Sequence, residues 1–243
     1  MEYSIATYFI YFIIIAICGW LMEVTLQLVQ KHKFADRGFL IGPYCPIYGC
    51  GALLITLFLT KLEEYPLALF SVTILVCGVL EYFTSYIMEK IFHARWWDYT
   101  EKKFNLSGRV CLENSCLFGL GGVFIVSILH PFLDGLVSMI PHNVLIILSI
   151  ILFVIFMIDV IITVTTMCQV KIAATKFTAK DATEEISRKV RNEIIKNKSL
   201  MLHMLNAFPK IELSNHDPLG RIKNYLAKQR EEYKKLKEKS KRK

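Results

Sequence analysis

The chain is 243 residues long, 54% of its residues are hydrophobic, and its mean hydropathy is +0.42. The apolar residues form long blocks instead of recurring at a helical or strand period, which argues against one water-soluble core and indicates a membrane protein. The net charge of +8 is unevenly distributed, because residues 171–243 hold 20 Lys and Arg against 9 Asp and Glu.

Five apolar stretches are long enough to cross about 30 Å of hydrocarbon, for which a helix needs about 20 residues. They cover residues 5–29, 44–60, 66–88, 112–129 and 143–168. The predicted fold is therefore all-α: a polytopic integral membrane protein with about five transmembrane helices over residues 1–170, followed by a basic cytoplasmic tail over residues 171–243.

Lys and Arg alternate between the loops that join these stretches. The first loop contains Lys31, Lys33 and Arg37, and the third contains five basic residues, whereas the second contains only Lys61 and the fourth contains none. Short loops rich in Lys and Arg stay in the cytoplasm. The N-terminus is therefore predicted outside the cell and the C-terminus inside.

The string RGFLIGPYCPIYGCG, residues 37–51, is too apolar for a solvated loop and too rich in Gly and Pro for an ordinary helix. Pro43 and Pro46 favour extended backbone before the second stretch, and the glycines allow close backbone approach. Non-helical backbone survives at membrane depth only where protein buries it or it lines water. We therefore expect a re-entrant or interfacial segment here.

Three acidic residues interrupt the first, third and fifth stretches, namely Glu23, Glu81 and Asp159. At a rise of about 1.5 Å per residue, all three fall about 22 to 27 Å from the outer ends, in one layer towards the cytoplasm. A charge in hydrocarbon costs about 2.5 to 3.5 kcal/mol and usually faces a cavity or a partner. We therefore expect a cavity-lining layer; the alternative is a set of helix-end residues whose ion pairs hold the bundle together.

Polar residues of the two cytoplasmic loops are placed to cover this layer. In the third loop, ARWWDYTEKKFNLSGRVCLENS, they are interleaved with aromatic residues. The further candidates for substrate or cavity contact are Arg37, Arg95, Asp98, Asn105, Arg109 and Glu113. No catalytic residue, metal ligand or cofactor is assigned. The seven cysteines include two pairs of equal spacing, 45/50 and 111/116, but these lack partner histidines and are interpreted as small buried side chains.

The first two stretches and the next two resemble a tandem repeat. CGWLMEV at residues 18–24 recurs loosely as CGVLEYF at residues 77–83, and Glu23 precedes Arg37 by 14 positions, as Glu81 precedes Arg95. Parallel repeats of this kind occur in transporters. Chance similarity is the alternative, because both matches are short.

Apolar residues recur at helical spacing in the tail up to Pro209, which predicts an amphipathic helix over residues 184–208. Two interpretations stay open. One is a solvated helix with a disordered end; the other is a helix bound to anionic lipid of the inner leaflet, where each basic residue adds about 1 kcal/mol. Nucleic acid is not a predicted partner, because no recognisable reading motif is present.

Several motifs together resemble one bacterial family. They are GWxxE at residues 19–23, RGFLxGPxCPIYGxG at 37–51, LEY at 80–82, SYxME at 85–89, RWWDY at 95–99 and FNLxGR at 104–109. The set is similar to the family called putative ABC-transporter type IV, the CmpB-like membrane permeases, and does not extend into the tail. The resemblance implies a permease, and no substrate or catalytic residue is carried over with it.

These observations favour a permease subunit of a transporter in the bacterial cell membrane. The sequence contains no GxxxxGK[ST] phosphate-binding loop, so the ATPase is expected on a separate chain, and a homo-oligomer would supply further spans. Two alternatives stay open: a protein or enzyme that binds lipid headgroups at the inner leaflet, and a non-catalytic envelope scaffold. An enzyme ranks behind a transporter, because no nucleophile with a base at fixed spacing and no HExxH motif occurs.

The predicted orientation can be tested by cysteine labelling in intact cells. In a cysteine-free background, Glu64→Cys and Asp134→Cys should react with a membrane-impermeant maleimide, because the second and fourth loops are predicted outside. Lys198→Cys should react only after the cells are lysed. Labelling of Lys198→Cys in intact cells would contradict the orientation.

Overall fold

The computed structural model describes residues 4–31, 38–92 and 95–178, with side chains for residues 4–29, 38–92 and 95–168. Its elements in chain order are α1 (Ile5–Lys31), α2 (Pro46–Phe58), α3 (Pro66–Phe92), β1 (Asn105–Leu106), β2 (Val110–Cys111), α4 (Leu112–Phe124), α5 (His130–Ser138) and α6 (His142–Thr178). A 3₁₀ turn over Thr60–Leu62 precedes α3, and a π-helical turn over Ile125–Leu129 joins α4 to α5. Strands β1 and β2 pair antiparallel. The predicted helix of the tail lies outside the described residues.

Four stretches of the described chain are helical, long and apolar enough to cross a membrane: Ile5–Val29, Pro66–Phe92, Leu112–Ser138 and His142–Cys168. The all-α membrane fold is therefore confirmed. The predicted second span is present as α2, whose 13 residues extend about 20 Å and fall short of about 30 Å of hydrocarbon. Five complete spans, and the orientation, stay predictions.

The fourth span is longer than its hydropathy indicated, because residues 130–138, predicted to lie in a loop, form α5. Pro131 stands in the first turn of α5, where a missing N–H removes no necessary hydrogen bond, and a π-helical turn precedes it. Leu133 and Val137 of α5 are buried in a cluster with Ile10 of α1. This contact explains why the apolar packing continues beyond the predicted end of the span.

Helices α1 to α4 form two consecutive pairs. A 27-residue helix, α1 or α3, is followed by a loop and then by α2 or α4. Helix α2 ends after 13 residues, whereas α4 continues through the π-helical turn and α5 to Ser138. Both α2 and α4 begin after a cysteine in extended conformation, Cys45 or Cys111, and alignment on these cysteines matches Tyr48 with Asn114. The tandem repeat stays a prediction.

Each pair packs closely because glycines of α2 face α1 and glycines of α4 face α3. A Cβ atom added at Gly49 of α2 would lie 2.7 Å from the carbonyl oxygen of Phe12, and one added at Gly119 of α4 would lie 2.7 Å from the Phe70 ring. Small residues let membrane helices approach each other, and van der Waals contact then holds them together.

Helix α6 packs against the first pair through aromatic side chains. The centroid of the Phe156 ring lies 5.4 Å from that of Phe12 in α1 and 5.6 Å from that of Tyr44, just before α2. Ala16, Leu40 and Tyr44 form a buried cluster beside Phe156. This packing brings α6 against the non-helical residues that precede α2.

Gly49→Ala should lower the thermal unfolding midpoint of the detergent-solubilised protein, because the added methyl group meets the Phe12 backbone. Overpacking of this kind costs about 1 to 3 kcal/mol. Gly121→Ala is the matched control: nothing lies within 4 Å of a Cβ atom there, and alanine favours a helix over glycine by about 1 kcal/mol. A midpoint for Gly49→Ala at or above that of Gly121→Ala would contradict the close approach.

Candidate functional site

Residues 38–45 run as non-helical backbone against the middle of α1. The Cys45 N–H donates a hydrogen bond to the Ala16 carbonyl oxygen at 2.9 Å, and Ala16 lies near the centre of the Ile5–Val29 stretch. Leu40 is only 1% exposed. The predicted non-helical string ends at Cys45, because residues 46–51 form the first turns of α2, and a re-entrant or interfacial position stays a prediction. Arg37, the first residue of the predicted string, lies outside the described residues.

Asp159 of α6 binds this segment through both carboxylate oxygens. Oδ1 accepts hydrogen bonds from the Ile41 N–H and the Thr163 hydroxyl, each at 3.0 Å. Oδ2 accepts hydrogen bonds from the Gly42 N–H at 2.7 Å and the Tyr44 hydroxyl at 2.6 Å. Unpaired backbone N–H groups are costly away from water, so Asp159 holds the non-helical backbone in place. A carboxylate has about four acceptor sites, and these four bonds leave little capacity for a substrate.

Glu23 of α1 accepts a hydrogen bond from the Tyr48 hydroxyl of α2 at 2.6 Å. The phenol fits there because residue 19 is glycine: a Cβ atom at Gly19 would lie 2.5 Å from Cγ of Tyr48. Helix α2 carries Tyr48 to this level because it begins against the middle of α1. The first helix pair therefore contains a half-buried carboxylate–phenol contact.

Glu81 of α3 makes the corresponding contact in the second pair. The Tyr99 hydroxyl donates to Oε1 of Glu81 at 3.1 Å, and the Asn114 amide of α4 donates to the Tyr99 hydroxyl at 2.6 Å. Glu81 is 4% exposed, and its Oε2 is buried without a hydrogen-bond partner in the described part of the chain. Tyr48 and Tyr99 interact electrostatically, so Glu23, Tyr48, Tyr99 and Glu81 form one polar layer across both pairs.

Tyr99 reaches Glu81 from residues 95–111, here called the 95–111 loop. The Tyr99 N–H donates to the Gly108 carbonyl oxygen at 2.8 Å, and the Lys102 N–H donates to the Tyr99 carbonyl oxygen at 2.9 Å. Both backbone polar groups of Tyr99 are therefore hydrogen-bonded within the loop. Burial, followed by the electrostatic interaction and the hydrogen bond with Glu81, raises the pKa of the Tyr99 hydroxyl far above its ordinary value. The phenol therefore keeps its proton and stays a donor.

Arg95 and Arg109 converge on Glu89, two turns along α3 from Glu81. Oε2 of Glu89 lies 2.7 Å from Nη2 of Arg109 and 3.0 Å from Nε of Arg95. Arg109 is 8% exposed and also donates to the Ser85 hydroxyl at 3.2 Å. Within the described residues, no ion pair joins either arginine to Glu81. These contacts correspond to the bundle-stabilising alternative for the two arginines.

Asp98 and Asn105 shape the 95–111 loop itself. Asp98 accepts a hydrogen bond from the Thr100 N–H at 3.0 Å, and the Asn105 side chain accepts one from the Gly108 N–H at 2.9 Å. Gly108 has a φ of +67°, a conformation that favours glycine, and a Cβ atom there would lie 2.6 Å from Oδ1 of Asp98. Both polar side chains are therefore engaged in holding the turn.

Glu113 lies at the surface, in the first turn of α4. Its Oε2 is 2.7 Å from Nζ of Lys102, and the two side chains are 63% and 51% exposed, respectively. Exposed ion pairs of this kind contribute about 0 to 1 kcal/mol. Glu113 therefore lies outside the polar layer.

The predicted residues that the structure describes fall into separate groups. They are the polar layer (Glu23, Glu81), the Glu89 ion pairs (Arg95, Arg109), the loop framework (Asp98, Asn105), the clamp (Asp159) and the surface pair (Glu113). Sequence reasoning missed Tyr48, Tyr99 and Glu89, which supply the partners. The equal spacing of the two cysteine pairs could have indicated that Tyr48 and Asn114 occupy matching positions.

The family model described as Putative ABC-transporter type IV matches residues 10–164. That range includes most of α1, all of α2 to α5, the polar layer, the 95–111 loop and Asp159. Searches of curated proteins and of solved structures found no match.

Asp159→Asn should release residues 38–45, because an amide offers one acceptor oxygen and turns N–H groups towards existing donors. Leaving such buried groups unsatisfied costs about 1 to 3 kcal/mol. We expect faster maleimide labelling of Cys45, which is 8% exposed, in a background where the other six cysteines are replaced by alanine. Thr163→Val removes one of the four bonds and should have a smaller effect. Unchanged labelling of Cys45 in Asp159→Asn would contradict the clamp.

Proposed function

The chain belongs to the family described as putative ABC-transporter type IV, and on that basis we propose that it is the membrane-embedded permease subunit of a transporter. The family and the four helices long enough to span a bilayer make it an ABC-transporter-related multi-pass membrane protein. The permease role and a separate ATPase chain are the further steps of the proposal.

The observation that carries the proposal is the non-helical backbone at the level of mid-α1, followed by a helix too short to span. In several transporter folds, discontinuous helices near the bilayer midplane build the binding site. Residues 38–45 and the 13-residue α2 have this form. A simple helical anchor or scaffold requires none of these features.

In this proposal the polar layer faces the transport pathway. Its two carboxylates lie on different helix pairs, so a movement of one pair against the other would change the distance between them. The 95–111 loop covers the layer from one end of the bundle, because it carries Tyr99 and is anchored through Glu89. Asp159 acts indirectly, by holding the segment that sets the level of α2.

The proposed cellular setting follows from charge. Lys and Arg in alternate loops favour an outside N-terminus and an inside C-terminus in a bacterial cell membrane, and the basic tail would then meet the anionic inner leaflet. Four long helices are few for a pathway formed by one chain. We therefore include a homo-oligomer, besides the ATPase, among the proposed partners.

A headgroup-binding role has weaker support. It would use arginines to hold phosphate, but Arg95 and Arg109 already contact Glu89 at 3.0 and 2.7 Å. Arg95 also lies 3.8 Å from Asp98. Both positive charges are therefore compensated within the protein.

The proposal predicts that the tagged full chain, expressed in its own host and purified in mild detergent, co-purifies with an ATPase in stoichiometric amount. Mass spectrometry of the purified complex provides the measurement, and reconstitution into nanodiscs should preserve ATP hydrolysis. A tagged membrane protein of another family, purified in parallel from the same host, is the control for adventitious capture. Tightly bound anionic lipid without a stoichiometric ATPase would instead favour the headgroup role and contradict the permease assignment.

A further inference from the structure

Glu81 is buried in a way that does not suit an ionised side chain. It is 4% exposed, and its Oε2 has no hydrogen-bond partner in the described part of the chain. The two arginines of the 95–111 loop form ion pairs with Glu89 instead. An ionised carboxylate that is buried without a cation is strongly disfavoured relative to the neutral acid.

The groups that face Glu81 supply little compensating charge. The Tyr99 hydroxyl of the 95–111 loop donates one hydrogen bond to Oε1 and is itself bound by the Asn114 amide of α4. The Cys77 thiol, on the same helix as Glu81, interacts with the carboxyl group electrostatically. From α2, Tyr48 interacts electrostatically with Tyr99.

More distant titratable groups carry no positive charge. Glu23 of α1 accepts a hydrogen bond from the Tyr48 hydroxyl, and Cys111, which ends β2 and precedes α4, interacts with Tyr99. Neither residue can neutralise a carboxylate at Glu81.

From this geometry we propose that the Glu81 carboxyl group is a proton-binding site, protonated on Oε2 while the 95–111 loop covers it. When the loop opens, the proton passes to water and leaves a hydrated carboxylate. A proton suits the position because one oxygen can hold it, whereas a metal ion needs several ligands. In the described residues, no group of three or more His, Cys, Asp or Glu side chains could hold such an ion.

This site would couple proton uptake to closure of the loop. Besides Tyr99, the loop is held by Trp96, which packs on Phe92 of α3 and on Phe39 of the segment before α2. At low pH, neutral Glu81 is compatible with this covered state. As the pH rises, loss of the proton leaves a charge that only water can solvate. The population of the open state therefore increases. In a permease, the Glu81 carboxyl group would then carry a coupling proton.

Infrared spectroscopy of the full chain in nanodiscs tests the proton directly. At neutral pH the wild type should show the carbonyl stretching band of a protonated carboxylic acid, and Glu81→Gln should lose it. Glu63→Gln, which changes an exposed glutamate beyond the 3₁₀ turn, should retain it. Identical carboxylic-acid bands in the wild type and Glu81→Gln would overturn the proposal.

Tyr99→Phe supplies a second variant in case Glu81→Gln does not insert. It removes the hydrogen bond to Oε1, so the same carbonyl band should move to higher frequency. A band at the wild-type frequency would show that the acid lies elsewhere and would overturn the assignment. The measurement contains no transport step, so its failure is distinguishable from failure of the permease proposal.

Tryptophan quenching tests the coupling to the loop. In a Trp20→Phe background, the remaining tryptophans are Trp96 and Trp97, and acrylamide quenching of their fluorescence should increase as the pH is raised. Adding Glu81→Gln should keep quenching at its low-pH value, because this side chain imitates the neutral acid. An equal rise with and without Glu81→Gln would show that another group controls the loop and would overturn the coupling.

Discussion

Four hydrogen bonds to the Asp159 carboxylate allow residues 38–45 to stay non-helical among apolar helices. Backbone N–H groups in such surroundings have no water to bind, and a helix would satisfy them internally. The carboxylate takes over that role for Ile41 and Gly42. The segment can therefore rise beside α1 without helical structure, and α2 can begin against the middle of the bundle instead of at its edge.

The level at which α2 begins determines the rest of the first pair. Gly49 faces the Phe12 carbonyl, and Gly19 leaves room for Tyr48. Both glycines work only in this register, because a shift of one turn would replace them with larger side chains. In the second pair, the partner of the glutamate comes from the loop as Tyr99, with Asn114 behind it. The two pairs therefore share the order of their elements, and their polar partners differ.

Charges are sorted by position within the bundle. The cationic side chains of the 95–111 loop are paired with Glu89 near the end of α3, where Arg95 keeps partial exposure. In the interior layer, the Glu81 carboxyl group has no ion pair among the described residues, and its Oε2 has no hydrogen-bond partner there. Such an arrangement favours a neutral acid at Glu81. It also separates two roles that hydropathy and depth alone would assign to the same group of residues: anchoring the loop, and providing a site that exchanges a proton.

Hydropathy by itself determined that the chain is an all-α membrane protein, because a continuous apolar block of sufficient length is a local property. The constant rise of a helix placed Glu23 and Glu81 at one depth, and the Gly and Pro content of residues 37–51 marked non-helical backbone before α2. The extent of α5 was not predictable, because it depends on burial of Leu133 and Val137 against α1. Tertiary structure alone decided the partners. Asp159, at a similar depth, binds residues 38–45 because α6 packs beside α1. Arg95 and Arg109 reach Glu89 because the 95–111 loop folds back on α3. Contacts between residues distant in sequence follow from how the helices pack, and no sequence period records them.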